Sequence, residues 1–146
     1  MKNNMRIECD AVSSNELFVR NAVALFALAL EPSVSEISDV KTAVSEAVTN
    51  CIVHAYGGRG GTVEIECSTE DKKLHIKISD KGKGIADVER ATQPFYTTLP
   101  DEEHSGMGFT IMQTFMSDFK VESVLGKGTT VSMCKEIGTG RRDDVG

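Results

Sequence analysis

The chain has 146 residues, of which 40% are hydrophobic and 26% charged, and its formal net charge at pH 7 is −6. This length and composition predict one soluble domain with a hydrophobic core and leave too few residues for a second domain. The acidic balance and the absence of Trp argue against nucleic acid as a direct partner. Phosphates are bound by clustered Lys and Arg, and single-stranded bases are bound by aromatic rings.

The first predicted elements are a strand and two helices. Residues 5–11 alternate between polar and apolar side chains, which predicts a short strand. Residues 15–31 predict a long apolar helix, and a second helix, capped by Ser33 or Ser35, runs to residue 56. The apolar side chains of the second helix have the spacing of one buried face. They belong to Ile37, Val40, Val44, Val48, Cys51, Ile52 and Ala55.

Two hairpins and one more helix follow. Residues 62–68 and 74–80 alternate in the same way and predict a hairpin with one buried and one exposed face. A helix over residues 106–117 leads into a second hairpin, formed by residues 118–124 and 129–137.

The order of these elements predicts an α/β fold, a two-layer sandwich with helices on one face of a mixed, mostly antiparallel sheet. Parallel pairs are expected only where long connections link two strands. We therefore predict one domain over residues 1–137, and the polar tail, residues 138–146, is predicted to be disordered.

The four cysteines, Cys9, Cys51, Cys67 and Cys134, form no CxxC pair. We predict that they are buried free thiols in a reducing compartment, not zinc ligands or disulfides. The N-terminal residues lack the apolar segment of a secretion signal. The longest apolar run, residues 22–30, is too short to cross a bilayer. We therefore expect a cytoplasmic protein that has no contact with membranes.

Glycine is clustered where strands or helices meet loops. The clusters are DKGKG at residues 80–84, GMG at 106–108 and GKGTT at 126–130. Glycine lets a backbone approach a ligand closely, and free N–H groups at a helix N-terminus attract anions. Each cluster alone is equally typical of an ordinary turn, because a single GxG is a weak signal.

A polar ridge runs along the second predicted helix. Glu46, Asn50 and His54 are spaced by four residues and lie on the side turned away from the apolar stripe. By itself, such a ridge is typical of a helix face that contacts solvent.

Taken together and in this order, the four features resemble the motifs of the GHKL ATPase/kinase superfamily, which includes gyrase, Hsp90, the histidine kinases and MutL. The acidic-Asn motif of that superfamily matches residues 46–50, its D-x-G-x-G box 80–84, its G-x-G box 106–108 and its G-T box 128–130. The resemblance extends over residues 5–137 and implies the Bergerat-type two-layer sandwich. The P-loop, eukaryotic kinase and Rossmann signatures are absent from the sequence.

The resemblance implies that ATP or ADP is bound together with Mg²⁺. Glu46 would then be a general base, Asn50 a Mg²⁺ ligand and Asp80 the acceptor of a hydrogen bond from the adenine amino group. Residues 91–105 would form a lid over the nucleotide. His54 either contacts the γ-phosphate region or is a satisfied polar group at the helix end. The further nucleotide contacts that the resemblance implies are Gly82, Gly84 and Thr130 around the base, and Ser105, Gly106, Met107, Gly108 and Phe109 near the phosphates.

Within the superfamily the chain most resembles the stand-alone anti-sigma serine kinases of sporulation in bacilli. Residues 46–58, 98–112 and 124–131 carry this resemblance. It implies a homodimer that binds and inhibits a sigma factor of RNA polymerase and uses MgATP to phosphorylate a serine of a small anti-anti-sigma protein. Arg20, an isolated charge in an apolar helix, is either a solubilising surface residue or a hot spot for a protein partner.

Three other functions stay open at this point. Water could accept the phosphoryl group, the nucleotide could only gate protein binding without phosphorylation, or the domain could be a scaffold that binds no ligand. Glu46 argues against pure nucleotide gating, because a carboxylate near the γ-phosphate repels its charge and binding alone does not need one.

Overall fold

In a computed structural model, which describes residues 2–92 and 108–138, five strands form one sheet in the order β1-β2-β3-β5-β4. The strands are β1 (Asn3–Asp10), β2 (Thr62–Glu70), β3 (Lys73–Asp80), β4 (Ser117–Val124) and β5 (Gly128–Glu136). The helices are α1 (Ser13–Ala27), α2 (Val34–Asn50), α3 (Val88–Ala91) and α4 (Gly108–Phe115). A 3₁₀ turn (Leu28–Leu30) ends α1, and a π-helical turn (Cys51–Ala55) continues α2.

The predicted two-layer sandwich is confirmed. Alternation along the strands buries Ile65, Ile76 and Met133 and leaves Glu66 and Lys77 exposed on the opposite face of the sheet. The buried strand side chains form one core with the apolar faces of α1, α2 and α4. One face of the sheet is therefore covered by helices, and the other is polar.

Every ladder between the described strands is antiparallel. Two helices lie between β1 and β2, and β2 begins at the end of the sheet at which β1 stopped. In the last hairpin, the second strand, β5, pairs with β3 as well as with β4. It therefore lies between these two strands. The parallel pairs that the long connections allowed are therefore not formed within the described residues.

The second helix begins with a capping box at Ser33, one of the two predicted caps. The Ser33 hydroxyl accepts a hydrogen bond from the Glu36 amide at 3.1 Å, and the Glu36 carboxylate accepts one from the Ser33 amide at 2.9 Å. Glu36 also accepts hydrogen bonds from the Gly138 amide at 3.0 and 3.1 Å. This carboxylate therefore joins the start of α2 to the residues after β5, and the remaining tail, residues 139–146, lies outside the described part.

The second helix differs from its prediction at the C-terminal end. Regular α-helix stops at Asn50, and the next five residues form a π-helical turn. Such turns are rare in proteins as a whole, and those that occur are often found at functional sites. Ile37 and Ile52, which were predicted in the core stripe, are only half-buried and pack at its edge.

All four cysteines are free thiols, as predicted. Cys51 and Cys67 are buried, whereas Cys9 and Cys134 are half-buried. Burial raises the pKa of the Cys67 thiol to about 12, which keeps this thiol protonated and unreactive. In the described segments no helix is both long and apolar enough to span a bilayer.

Candidate functional site

A cavity of about 330 Å³ lies where α2, its π-helical turn, the end of β3 and the start of α4 meet. The sheet contributes an apolar wall, which includes Ile78 and Val131. Six of the residues that sequence analysis placed in a nucleotide site line this cavity. They are Asn50, His54, Asp80, Gly84, Gly108 and Phe109.

Asp80, the last residue of β3, is held by backbone donors. Its Oδ1 accepts hydrogen bonds from the Gly82 amide at 2.9 Å and from the Thr129 amide at 3.2 Å. Burial raises the pKa of the Asp80 carboxyl, and these hydrogen bonds oppose part of that rise. The result is a fixed carboxylate that faces an apolar cavity, which suits recognition of a planar ligand that carries an N–H donor.

The glycines after Asp80 allow close contacts within the protein. Gly84 has a φ of +75°, and a Cβ on it would lie 2.3 Å from the Val124 carbonyl oxygen. A Cβ on Gly82 would lie 2.4 Å from the Ala55 carbonyl oxygen, at the end of the π-helical turn. Gly82 does not line the cavity. The role predicted for both glycines, that they let the backbone close on a purine, stays a prediction, and the Gly82 amide donates a hydrogen bond to Asp80.

Thr130 was predicted at the base, but Thr129 is the threonine that lines the cavity. Side chains alternate along a strand, and Val131 faces the cavity, so Thr129 shares its side and Thr130 points to the opposite face. There the Thr130 hydroxyl lies 3.1 Å from the hydroxyl of Ser79. The register of β5 therefore places Thr129 on the cavity side, and the contact of Thr130 with the base stays a prediction.

The polar ridge of α2 faces the start of α4. A Cβ on Gly108 would lie 3.1 Å from Asn50 Nδ2, 3.2 Å from Asn50 Oδ1 and 3.4 Å from Glu46 Oε1. Gly108 is the first residue of α4, where backbone N–H groups have no partner within the helix. Asn50 and Glu46 are thus brought together beside a helix N-terminus. Asn50 lines the cavity, whereas half-buried Glu46 adjoins it through Gly108.

His54 lies in the π-helical turn and lines the cavity. Its position fits contact with a ligand, and both interpretations of this residue remain predictions. Ser105, Gly106, Met107 and residues 93–105 of the expected lid lie outside the described residues. Ala91, at the start of that expected lid, is buried and lines the cavity.

Arg20 lies on α1 and does not line the cavity. Its Nε is 3.5 Å from the Glu16 carboxylate one turn earlier, and 35% of its side chain is exposed. Arg20 is therefore a half-buried, ion-paired residue and not a fully solvated charge. The helix α1 also exposes the apolar side chains of Leu17, Phe18 and Leu25, and of these Leu17, three residues before Arg20, lies on the same side of the helix as Arg20.

Thr129 and Cys51 are among the residues that contribute to the site but were not assigned to it from the sequence. Thr129 supplies an amide to Asp80, and Cys51, predicted only as a core residue, is both buried and part of the cavity wall. The signal for Thr129 was its place directly after Gly128. For Cys51 the only signal was its place directly after Asn50.

Comparisons with known proteins identify the family of this chain. The family described as histidine kinase-like ATPase domain matches residues 13–135. The anti-sigma F factor of Caldanaerobacter subterraneus subsp. tengcongensis is 53% identical over 139 residues, which cover 95% of this chain and 97% of that protein. The anti-sigma F factor of Clostridium acetobutylicum is 51% identical over 137 residues, which cover 94% of this chain and 96% of that protein.

A solved structure is similar in fold. The crystal structure of the RsbU and RsbW domains of Rv1364c from Mycobacterium tuberculosis aligns with 92% of this chain at a TM-score of 0.67 and 17% sequence identity. The aligned part is 32% of that chain. At this identity the similarity supports the fold alone.

Proposed function

Because the chain belongs to the anti-sigma F factor family of histidine kinase-like ATPase domains, we propose that it binds a sigma factor of RNA polymerase and phosphorylates a serine of a small anti-anti-sigma protein. Binding keeps the sigma factor from RNA polymerase, and phosphorylation disables the antagonist of that inhibition. MgATP is the phosphoryl donor, and the cavity is its binding site.

One observation carries the kinase part of this proposal. A single cavity, about 330 Å³ in volume, brings Asp80 together with Asn50 and the start of α4, where Glu46 adjoins it. A volume above roughly 300 Å³ is typical of small-molecule sites. The cavity therefore offers one end that suits a base and one that suits phosphates.

At the base end, the Asp80 carboxylate selects adenine. Its oxygens accept hydrogen bonds, and adenine presents an exocyclic amino group, which is a donor. Guanine presents a carbonyl oxygen at the equivalent position, and that oxygen would face the carboxylate without a proton between them. The apolar wall that contains Ile78 and Val131 packs against the faces of the ring.

At the other end, the start of α4 attracts the phosphates, because the N–H groups of its first turn have no partner within the helix and its dipole favours an anion. The Asn50 amide oxygen is a hard ligand, which suits Mg²⁺. In the described part of the chain, no group of three or more His, Cys, Asp and Glu could hold a metal ion. This fits Mg²⁺, which usually takes one or two protein ligands and completes its shell with phosphate oxygens and water. When bound, the ion neutralises phosphate charge.

Glu46 is the residue that we propose as general base. It lies one helical turn before Asn50, and its Oε1 adjoins the first residue of α4. In this role it orients the serine hydroxyl and accepts its proton as the serine oxygen bonds to the γ-phosphorus of ATP, while the bond from that phosphorus to the bridging oxygen breaks and ADP leaves. Positioning and charge neutralisation provide most of the catalysis in such reactions. Loss of the base should therefore slow the transfer without preventing nucleotide binding.

Partner binding is proposed to involve Arg20 and the exposed apolar side chains of α1. Arginine beside apolar surface is a common hot spot. We expect Arg20→Ala to weaken sigma-factor binding about tenfold and to leave ATP affinity unchanged, with Arg59→Ala in the exposed 57–61 loop as control. Unchanged sigma affinity would contradict this role. A homodimer and a cytoplasmic location are proposed from the family resemblance and from the free cysteines.

The experiment that tests the kinase function follows the label from γ-labelled ATP. The protein is incubated with MgATP and a candidate anti-anti-sigma protein, and label is measured on serine and in free phosphate. Label on serine supports the proposal. Label only in free phosphate indicates an ATPase with water as acceptor. If calorimetry detects no binding of MgATP, the proposal of a nucleotide site is contradicted.

A further inference from the structure

Ser123 lies on β4 and is paired with Thr129 of β5, next to the base end of the cavity. Thr129 and Ile85 line the cavity, whereas Ser123 is half-buried and does not line it. The Ser123 hydroxyl oxygen is within hydrogen-bond distance of three groups. They are the Ile85 amide nitrogen at 2.7 Å, the Gly128 carbonyl oxygen at 2.9 Å and the Thr129 hydroxyl oxygen at 2.8 Å. A serine hydroxyl donates one hydrogen bond and accepts two, so these three contacts use all of them.

The chemistry of the partners decides the direction of each hydrogen bond. An amide N–H only donates and a carbonyl oxygen only accepts, so Ser123 accepts from Ile85 and gives its single hydrogen to Gly128. In the third contact Ser123 therefore accepts, and the Thr129 hydroxyl is the donor. The reverse direction would leave the oxygens of Ser123 and Gly128 2.9 Å apart with no hydrogen between them, which is a repulsive contact.

This direction determines what Thr129 offers to a ligand. Its hydroxyl hydrogen is bound to Ser123, so only the lone pairs of the oxygen remain. The Thr129 amide donates to Asp80 Oδ1 at 3.2 Å, which places this residue beside the recognition carboxylate. Thr129 and Asp80 thus form a pair of acceptors, and a ligand group that contacts both must bring two hydrogens. An exocyclic amino group carries two.

We propose that Ser123 is a positioning residue for base recognition, which holds the Thr129 hydroxyl as an acceptor for the second hydrogen of the adenine amino group. This role rests on the proposed binding of ATP in the cavity. It deepens that proposal, because Asp80 takes one hydrogen of the amino group and a residue outside the cavity determines how the other is bound. The opposing explanation is that Ser123 only ties the loop after Asp80 to the hairpin of β4 and β5, through Ile85.

Two nucleotides distinguish these explanations. Purine riboside triphosphate has hydrogen in place of the 6-amino group of ATP, so it fills the cavity but donates to neither Asp80 nor Thr129. In Ser123→Ala the Thr129 hydroxyl is free to turn its hydrogen towards the base, where it faces the hydrogens of the amino group. That change weakens the binding of ATP alone, whereas a loosened loop weakens the binding of both nucleotides.

The chain offers a matched control on the opposite face of the sheet. Ser79 and Thr130 form the same kind of hydroxyl pair, 3.1 Å apart, between β3 and β5, and neither residue lines the cavity. Thr129→Val provides a second comparison. It removes the hydroxyl but keeps the branched shape of the side chain and the amide that donates to Asp80.

The experiment measures dissociation constants of both nucleotides by calorimetry for the wild type, Ser123→Ala, Thr129→Val, the double variant and Ser79→Ala. We expect Ser123→Ala and Thr129→Val each to lower the preference for ATP over purine riboside triphosphate about fivefold, the size of one hydrogen bond. In the Thr129→Val background, Ser123→Ala should lower the preference no further, because both substitutions act on one hydrogen bond. Ser79→Ala should keep the full preference, and melting temperatures check that all variants fold.

Two results overturn the inference while leaving the proposed function intact. An unchanged preference in Ser123→Ala, with or without an equal loss of affinity for both nucleotides, would show that Ser123 only ties the loop. A preference that Ser123→Ala lowers further in the Thr129→Val background would show that Ser123 does not act through Thr129. A wild type that binds neither nucleotide, or binds both equally, would instead contradict the proposed adenine site, and this inference with it.

Discussion

The two ends of the cavity are built from different parts of the fold. At the base end, Asp80 is the last residue of β3, the central strand of the sheet. Backbone amides from the loop that follows Asp80 and from the neighbouring strand, β5, hold its carboxylate. At the phosphate end, the side chains of Glu46 and Asn50 come from one helix and meet the first residue of another. The base end is therefore fixed by the sheet, whereas the geometry of the phosphate end depends on how two helices approach each other.

This difference separates two tasks. A ligand is selected where donors and acceptors are held rigidly, and a phosphoryl group is transferred where charge can be concentrated at a helix N-terminus. We therefore expect substitutions at the base end to change nucleotide affinity and substitutions at the phosphate end to change the rate of transfer.

The largest effect is expected for Asp80→Asn. An asparagine amide would present its own N–H groups to the adenine amino group or to the Gly82 and Thr129 amides, so donors would face donors. ATP affinity should fall by at least about a hundredfold, since hydrogen bonds to charged groups are the strong ones. Calorimetry measures this affinity. Asp118→Asn is the control, because Asp118 is an exposed β4 residue with a φ of +52°, which asparagine tolerates.

Glu46→Gln tests the phosphate end. The amide keeps the size of the side chain but cannot take the serine proton, so transfer should slow about a hundredfold while ATP affinity changes by less than about twofold. Single-turnover transfer of label to serine gives the rate. Glu122→Gln, an exposed strand carboxylate paired with Lys120, should transfer at the wild-type rate. If Glu46→Gln does the same, Glu46 is not the base.

Gly108→Ala should have an intermediate effect. The new Cβ would lie 3.1 Å from the Asn50 amide nitrogen, so Asn50 must move by a few tenths of an ångström. We expect roughly a tenfold loss in the rate of transfer, because small misplacements of reacting groups are costly, and little change in affinity for adenosine. Gln113→Ala, on the exposed side of the same helix, should be neutral. An equal loss of adenosine affinity would show that the two ends are not separate.

The smallest effect is a dependence on pH at the base end. Burial raises the pKa of Asp80. This carboxyl therefore protonates at a higher pH than an ordinary Asp, whose pKa is about 3.9. Protonation removes an acceptor, so ATP affinity should fall as the pH is lowered. The folding stability of the ATP-free protein should change with pH in the opposite direction. A raised carboxyl pKa contributes stability at low pH, and this contribution is lost as the pH rises through the folded-state pKa.

Titration of ATP affinity and of melting temperature over the acidic range measures both trends. Asp80→Asn should show neither of them. If ATP affinity rose on acidification, an ionised Asp80 would not be the acceptor.

Local patterns in the sequence predicted the parts of the fold that local forces decide. Alternation along the strands and the capping serine before α2 are features of neighbouring residues. The π-helical turn was not predicted, because its place is set by contact between Ala55 and the loop after Asp80. Helical spacing alone placed Glu46, Asn50 and His54 on one side of α2, but it did not reveal what they face.

At the base end, too, the geometry depends on contacts between residues that are distant in the sequence, which local patterns do not reveal. Two threonines follow Gly128, and only the pairing of β5 with β3 decides that Thr129 faces the cavity. Gly82 and Gly84 match a motif in the sequence. The residues that lie against them in space, Ala55 and Val124, are distant from them in the sequence, so the motif does not reveal these contacts. Cys51 fits the apolar stripe of α2, and its second place, in the cavity wall, depends on how that helix packs on the sheet.

The most direct test of the separation between the two ends is the single-turnover rate of serine phosphorylation, measured as a function of MgATP concentration for both variants. For Glu46→Gln we predict a midpoint at the wild-type ATP concentration and a plateau about a hundredfold lower. For Asp80→Asn we predict a rate that rises across the whole range without reaching a plateau. A plateau that was lowered and a midpoint that was shifted to the same extent in both variants would contradict the separation between the two ends.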